Sequence, residues 1–401
     1  MHGLSKYIKG DRAIWIITLL LGIASLLLVY SSIVTLAYKH SDGNTLKYLF
    51  RHGFFLLSGF LIIYITHSIK YTYFSRISQL LLFSSIPLLA LTLIVGTNIN
   101  DASRWLTIPV INQSFQTSDF AKLALIMYVA RMLSVKQDQI KDFKKAFLPI
   151  IIPVFVVCGL IFPANFSTAA VLFSACMVLM FIGRIPVKYL VSLASIGVVL
   201  IVISIGVAKF APALFPRAET WVNRIENFTS DSSGGNYQVE QAKIAIATGG
   251  IQGKGPGNST QRNFLPHPYS DFIYAIVVEE YGLIGGVIVM FLYLMLFFRA
   301  IRIVIKTSKT FGALLVIGIT FILVFQALIN MAVAVNLLPV TGQPLPFMSM
   351  GGTSIWFTAV AIGVILSVSK EIETQKANAP NAVSSSIVES QNEEADELAV
   401  A

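Results

Sequence analysis

Ten stretches of roughly twenty mostly apolar residues recur along the chain, near 13–37, 52–69, 78–96, 119–134, 146–162, 166–183, 189–210, 272–298, 311–335 and 354–369. A helix needs about 20 such residues to cross the hydrocarbon of a bilayer, and a soluble core has no use for so many. With 55% hydrophobic and only 12% charged positions in 401 residues, the chain reads as an all-α polytopic membrane protein with ten transmembrane helices. The expected organisation is a short N-terminal segment, 1–12, a ten-helix domain, 13–370, and a polar, aperiodic tail, 371–401, without fixed structure. The first apolar run is too long for a cleaved signal and lacks a small-residue cleavage site, so it is expected to remain as the first helix.

The net charge of +9 does not point to nucleic acid, because the basic residues fall in alternate gaps between the apolar runs. One set of gaps carries Lys6, Lys9 and Arg12, then Lys70 and Arg76, then Arg131, Lys136, Lys141, Lys144 and Lys145. Arg184, Lys188, Arg299, Arg302, Lys306, Lys309, Lys370 and Lys376 continue the same side, whereas the short gaps opposite hold only Lys39, Lys47, Arg51 and Arg104. Positive charge stays cytoplasmic, so both termini are expected inside. The long segment 211–270, between the seventh and eighth helices, is then the one large outer loop. Cys158 and Cys176 lie within apolar runs and read as small buried side chains, not as a disulfide or metal framework.

Against this background the few charges at membrane depth need a reason, since each costs on the order of 2.5–3.5 kcal/mol. The stretch from Asn263 to Gly282, NFLPHPYSDFIYAIVVEEYG, places Asp271 where the outer loop meets the eighth apolar segment, with Glu279 and Glu280 beyond it. On a straight helix Glu279 lies about 80° from Asp271 and Glu280 opposite, both about 12 Å deeper, so they are not expected to share its site. An ion pair, with Lys122 as one partner, or interhelical hydrogen bonding would account for them. Asp119 and Lys122 are three residues apart at the start of the fourth segment and can pair on one face; alternatively Lys122 snorkels outward. Arg104 and Trp105 sit together before that segment, either as an interface anchor or as a binding element.

Irregular stretches complete the picture. Asn165 stands in a three-residue turn between the fifth and sixth segments and suits a helix cap. In the outer loop, Trp221, Ile225 and Phe228 recur at helical spacing, and a short helix is expected over Gln238 to Thr248, stopped by Gly249 and Gly250. Gly249 to Gln261 is glycine-rich around Lys254: either a flexible turn or a backbone cradle for phosphate oxygens. Gln326 and Asn330 form a polar stripe of the kind that joins helices. Asn336 to Ser354 has prolines and glycines and no charge, and irregular backbone at that depth is expected to re-enter and line a cavity.

Three of these segments resemble the SEDS family (shape, elongation, division and sporulation proteins, including FtsW, RodA and SpoVE). They are Ser118-Asp119-Phe120-Ala121-Lys122-Leu123; Gly253-Lys254-Gly255-x-Gly257-Asn258-Ser259-x-Gln261 with Leu265-Pro266, Ser270-Asp271-Phe272-Ile273 and Glu279-Glu280-x-Gly282; and Gly342-x-Pro344-Leu345-Pro346 with Ser349-x-Gly351-Gly352-Thr353-Ser354. The resemblance implies a peptidoglycan glycosyltransferase that polymerises lipid II on the outer face of the cytoplasmic membrane. The GlcNAc 4-hydroxyl of one molecule attacks the MurNAc anomeric carbon of another, undecaprenyl pyrophosphate leaves, and inversion gives a β-1,4 bond. Asp271 matches the family's essential aspartate and would be the general base; burial in a water-poor mouth can raise the pKa of such a group and make it a better base.

By the same resemblance Lys122, Asp119, Arg104, Lys254, Asn258, Gln261, His267, Ser349, Gly351 and Gly352 are candidate substrate-binding residues, and Glu279, Glu280 and Lys243 supporting ones. A divalent cation, magnesium or manganese, is a further possibility for the pyrophosphate, with no ligands assigned. The implied partners are a class B penicillin-binding protein of the FtsI type and other divisome proteins. Gly257-Asn258-Ser259 leans toward the FtsW branch and septal synthesis, while Pro344-Leu345-Pro346-Phe347 also suits a RodA-like role in elongation. A lipid II flippase and a noncatalytic divisome scaffold are the competing readings. The chain departs from the family at Pro266-His267-Pro268-Tyr269-Ser270-Asp271, where an acid and a histidine usually precede the base. Asp119 replaces a glutamate, Asn165 an aspartate and Met350 a tyrosine.

Overall fold

The computed structural model describes residues 9–34, 36, 38, 44–99, 102–108, 113–210, 224, 226, 228 and 237–400. In chain order the helices are α1 (Arg12–Ser32), α2 (Thr45–Ser68), α3 (Tyr71–Val95), α4 (Thr117–Val135), α5 (Leu148–Ile161), α6 (Phe166–Ile182), α7 (Val187–Phe210), α8 (Tyr237–Gly249), α9 (Ile273–Lys306), α10 (Thr310–Ala334) and α11 (Thr353–Val400). Among the described residues, each of the ten apolar segments is helical over most of its length. Among the described residues seven helices have the length and hydropathy to cross a membrane: α1, α2, α3, α5 with its preceding turn from Phe143, α9, α10, and α11 as far as Lys376. Asp119, Lys122 and Arg131 lower the hydropathy of α4, α6 has 17 residues, and the apolar stretch counted in α7 ends at Leu200.

Local chemistry explains the boundaries. Asp11 caps α1 by accepting from the Ala13 and Ile14 amides, Asn44 caps α2 at Lys47, and Asn165 caps α6 at Thr168, as its turn position suggested. The helices α2 and α3 begin seven residues before the apolar runs do, because hydropathy marks only the hydrocarbon-compatible part of a helix. The backbone of α11 runs on to Val400, through the polar segment for which the sequence suggests no fixed structure. Between α3 and α4 the chain forms a three-stranded antiparallel sheet, β1 (Thr97–Ile99), β2 (Ala102–Ile108) and β3 (Gln113–Gln116), where the sequence reading had only a loop. Aromatic and β-branched residues in Arg104-Trp105-Leu106-Thr107-Ile108 suit a strand.

α10 and α11 are the most enclosed helices, while α2, α3 and α9 turn most of their apolar surface outward, as helices facing lipid would. Cys158 and Cys176 are buried free thiols. At the end carrying the basic residues, Arg299 of α9 grips Asp11 through Nε and Nη2 at 3.0 and 2.5 Å, and Glu373 of α11 accepts from the Gly10 amide at 2.8 Å. Those contacts bring the start of α1 to the far ends of α9 and α11.

The largest departure from expectation is in α9. Gly282 has φ 68° and ψ −173°, which breaks the helix. An added Cβ at Gly286 would lie 2.9 Å from Val278 and 3.0 Å from the Tyr274 hydroxyl. On a straight helix Val278 and Gly286 would be about 12 Å apart, so Ile273–Tyr281 folds back against the rest of α9. The glutamates therefore do not lie deeper than Asp271. Glu280 accepts from Ser31, in the last turn of α1, whereas Met348, next to the Asp271 loop, accepts from Ser25, about 9 Å back along α1.

Freed carbonyls at the break are taken by the glycine-rich loop. The Lys254 and Gly255 amides donate to the Glu279 and Glu280 carbonyls, both at 2.9 Å, and Leu283 donates to Gly250 at 2.9 Å. Side chains at Gly253 or Gly282 would meet backbone at 2.3 and 2.1 Å, so this loop needs glycine for contact with protein backbone. α8 ends at Gly249 as expected, and Lys243 is exposed on it. Of the proposed amphipathic surface element, Trp221 and Ile225 lie outside the described residues, as do 211–220, and Phe228 is exposed.

Candidate active site

The uncharged loop between α10 and α11 is held by side chains of the Gln326–Asn330 stripe. Asn330 Nδ2 donates to the carbonyls of Asp271 at 2.8 Å and Gln343 at 2.7 Å. Gln326 Nε2 donates to Pro344 at 2.9 Å, and Tyr293 Oη to Pro346 at 2.5 Å. Ser349 Oγ accepts from the Leu345 amide and donates to the Ser270 carbonyl at 2.6 Å, while the Met350 amide donates to Tyr269. Buried irregular backbone is thereby paired, as a low-dielectric setting demands. The same bonds fix the Ser270–Asp271 peptide from two sides.

A cavity of about 380 Å³ opens where this loop meets α2, the sheet, α4 and the turn before α6. Asp271, Asp119, Arg104, His267, Gly351 and Gly352 line it, so six of the residues singled out by sequence converge. Asp271 Oδ1 accepts from Ser270 Oγ at 2.8 Å. Gly342 faces Oδ2: a Cβ there would lie in van der Waals contact at 3.5 Å, and φ is 64°, so a residue with a side chain would be strained. Arg104 Nε donates to the Ala164 carbonyl at 2.8 Å, which anchors the guanidinium against the turn. Asp119 Oδ1 pairs with Lys122 Nζ at 2.8 Å, and Lys122 also donates to Gln326 at 3.2 Å. Tyr269 Oη and His267 Nδ1 are 3.1 Å apart; burial first, then the Asp271 carboxylate and Tyr48, push the phenol above its ordinary range.

Other candidates stand elsewhere. Ser349 buttresses the loop from behind, and Lys122 lies in a narrow slot below the cavity. Lys254, Asn258 and Gln261 are not brought to the cavity. Lys254 Nζ pairs with Glu279 at 2.6 Å, which replaces the expected link to Lys122, and Asn258 Nδ2 caps the Lys254 carbonyl at 3.0 Å. Glu279, fully buried, also accepts from Ser259 and from the Thr260 and Gln261 amides. This cluster fastens the glycine loop to the break in α9.

Sequence reasoning missed Arg51, Gln343 and Arg224. Arg51 lines the cavity from α2; its signal was a basic residue on the side where few belong. Gln343 lines it too, with Nε2 donating to Thr168 at 2.6 Å. Arg224, in the long segment between α7 and α8, donates to the Val340 carbonyl at 3.0 Å. Burial pulls its guanidinium below the ordinary arginine range, and the Asp271 carboxylate offsets part of that effect.

Residues 11–374 match the cell cycle protein family of FtsW, RodA and SpoVE. The chain belongs to this family. It is 34% identical over 378 residues to stage V sporulation protein E of Bacillus subtilis, covering 91% of this chain and 98% of that one. It is 32% identical over 347 residues to a protein of Trichlorobacter lovleyi named a probable peptidoglycan glycosyltransferase FtsW, covering 86% and 89%. The fold matches a chain in a structure described as the coordination of polymerization and crosslinking by a peptidoglycan synthase complex, with TM-score 0.71, 22% identity and coverage of 90% and 98%. It also matches the crystal structure of the Thermus thermophilus rod shape determining protein RodA, with TM-score 0.63, 22% identity and coverage of 91% and 98%. SEDS membership and the apolar helices together make this a bacterial membrane protein.

Within the SEDS fold, Asn330 is a test of positioning. Asn330→Ala removes the donor shared by Asp271 and Gln343, and a displacement of about 1 Å at a reacting group costs on the order of a hundredfold. Activity of Asn330→Ala is therefore expected to fall about a hundredfold with the solubilised protein still monodisperse, as measured by turnover beside gel filtration.

Proposed function

We propose that this protein is an inverting peptidoglycan glycosyltransferase that polymerises lipid II at the outer face of the bacterial cytoplasmic membrane. The observation that carries this is the placement of Asp271 in a polar cavity with Arg51 and Arg104, at the head of apolar helices. Asp271 takes the proton of the acceptor GlcNAc 4-hydroxyl as that oxygen attacks the MurNAc anomeric carbon of the donor. Undecaprenyl pyrophosphate departs from the opposite face, and Arg51 and Arg104 offset the charge that develops on it. Gly342, Gly351 and Gly352 keep the wall beside the carboxylate low enough for a sugar to approach. Among the described residues no three His, Cys, Asp or Glu side chains converge as a metal cage, and no step of this reading is routed through a divalent cation.

Ten crossings with both termini in the cytoplasm accord with the charge bias, and the FtsW-like relatives favour septal synthesis beside a class B penicillin-binding protein. The direct test supplies lipid II to purified protein in liposomes, with and without that partner. Glycan chains on gel electrophoresis are the expected product. Lipid II translocation without polymer, by the protein alone or with the partner, would favour a flippase instead.

A further inference from the structure

Below the cavity, α4, α10 and α11 enclose a slot of about 50 Å³ that the reaction just described leaves unused. Each helix contributes one stripe at i, i+3, i+4 and i+7: residues 119, 122, 123 and 126 on α4; 319, 322, 323 and 326 on α10; 354, 357, 358 and 361 on α11. The composition of the stripes changes along the slot. Asp119, Lys122, Gln326 and Ser354 form its upper end, and Asp119 and Ser354 also line the cavity above. Leu123, Ile126, Ile319, Ile322, Leu323 and Phe357 make the lower part apolar. Seven residues separate the two ends on each helix, about 10 Å at about 1.5 Å per residue. Ile126, Ile319 and Ile322 are buried while Leu123, Leu323 and Phe357 are half-buried, so one long side of the slot is open.

The polar cavity and the apolar slot meet at a charged collar, and that order matches an amphiphile with an anionic head and a linear hydrocarbon tail. Resting on the glycosyltransferase reading, we infer that the slot holds the first isoprene units of a polyprenyl-pyrophosphate substrate. The pyrophosphate then lies at the collar. Lys122 is already paired with Asp119 at 2.8 Å, so it marks the head–tail boundary and leaves most of the charge compensation to the arginines above. A methyl-branched polyprenyl chain suits a slot walled by leucine, isoleucine and phenylalanine, and holding it there fixes the anomeric carbon relative to Asp271.

The experiment uses full-length protein in liposomes with lipid II carrying a diazirine on its second isoprene unit, and a phospholipid carrying a diazirine near its headgroup as control. After irradiation, labelled peptides are mapped by mass spectrometry, and polymer is assayed in the same sample. Label is expected within Leu123–Ile126, Ile319–Leu323 or Phe357–Ala361, displaced by unlabelled lipid II and absent with the phospholipid. Label confined to other helices, or equal labelling by the phospholipid, overturns the inference; if polymer still forms, the glycosyltransferase reading survives it. Label in the slot without any polymer sinks that reading and keeps a polyprenyl site. As a second measurement, Ala361→Phe fills the lower slot and is expected to lower kcat/KM for lipid II about tenfold, with KM raised. An unchanged KM in a folded Ala361→Phe variant also counts against the slot.

Discussion

Asp271→Asn is expected to lower lipid II polymerisation by about 10²–10⁴-fold, the usual contribution of a positioned general base. The substitution removes a proton acceptor while almost preserving volume. The interactions that hold residue 271 are largely independent of its charge: Asn330 donates to the main-chain carbonyl, Ser349 to the neighbouring carbonyl, and Ser270 can donate equally to an amide oxygen. Thermal stability and monodispersity in detergent should therefore match the parent. A variant retaining more than about a tenth of the activity would show that another group takes the proton, since loss of a true base costs at least about a hundredfold; Asp119, the other carboxylate of the cavity, would be examined next. Equal loss of activity and stability would instead give Asp271 a structural role.

The second large effect is expected far from the carboxylate. Gly282→Ala forces a side chain onto a residue with φ 68°, at a cost of about 1–2 kcal/mol, and places its Cβ 2.1 Å from the Ile251 carbonyl oxygen. Backbone cannot yield as a side-chain tip does, so the glycine loop must separate from α9. That movement breaks the bonds from Lys254, Gly255 and Leu283, each worth about 1 kcal/mol, and frees the buried Glu279 from Lys254. A loss on the order of 3 kcal/mol or more is expected, seen as a drop in the temperature at which the solubilised protein aggregates, together with loss of activity. Gly159→Ala is the control: it adds a methyl to α5 with no neighbour within 4 Å and should leave stability unchanged or slightly raised. If both variants behave alike, the break in α9 is not what holds the glycine-rich loop.

These two residues also divide what could be read from the chain. Asp271 was legible because a carboxylate at the mouth of an apolar segment is costly, and cost at membrane depth signals use. The motif around it placed the chain among the SEDS proteins without any coordinates. Gly282 was not legible in the same way. A continuous apolar run reads as one straight helix, and glycine inside such a run is common enough to pass unremarked. Once the break is seen, the glutamates are no longer deeper than Asp271, and the glycine-rich loop, read as either a flexible turn or a phosphate cradle, becomes a clamp on exposed carbonyls. Lys254, whose charge suggested pyrophosphate, is paired with Glu279.

The amino-acid sequence by itself determined which segments are helical, which side carries the basic charge, and which carboxylate needs a function, because hydropathy, charge bias and desolvation cost are properties of residue type and local order. Tertiary structure alone decided which polar residues share a cavity. Arg51, Gln343 and Asp119 are far apart in the chain and become neighbours of Asp271 only through the packing of α2, α4 and the loop before α11. The fold-back of α9 is likewise a long-range outcome, since what stabilises it is hydrogen bonding to a loop some thirty residues earlier. Local pattern carries no record of such partners.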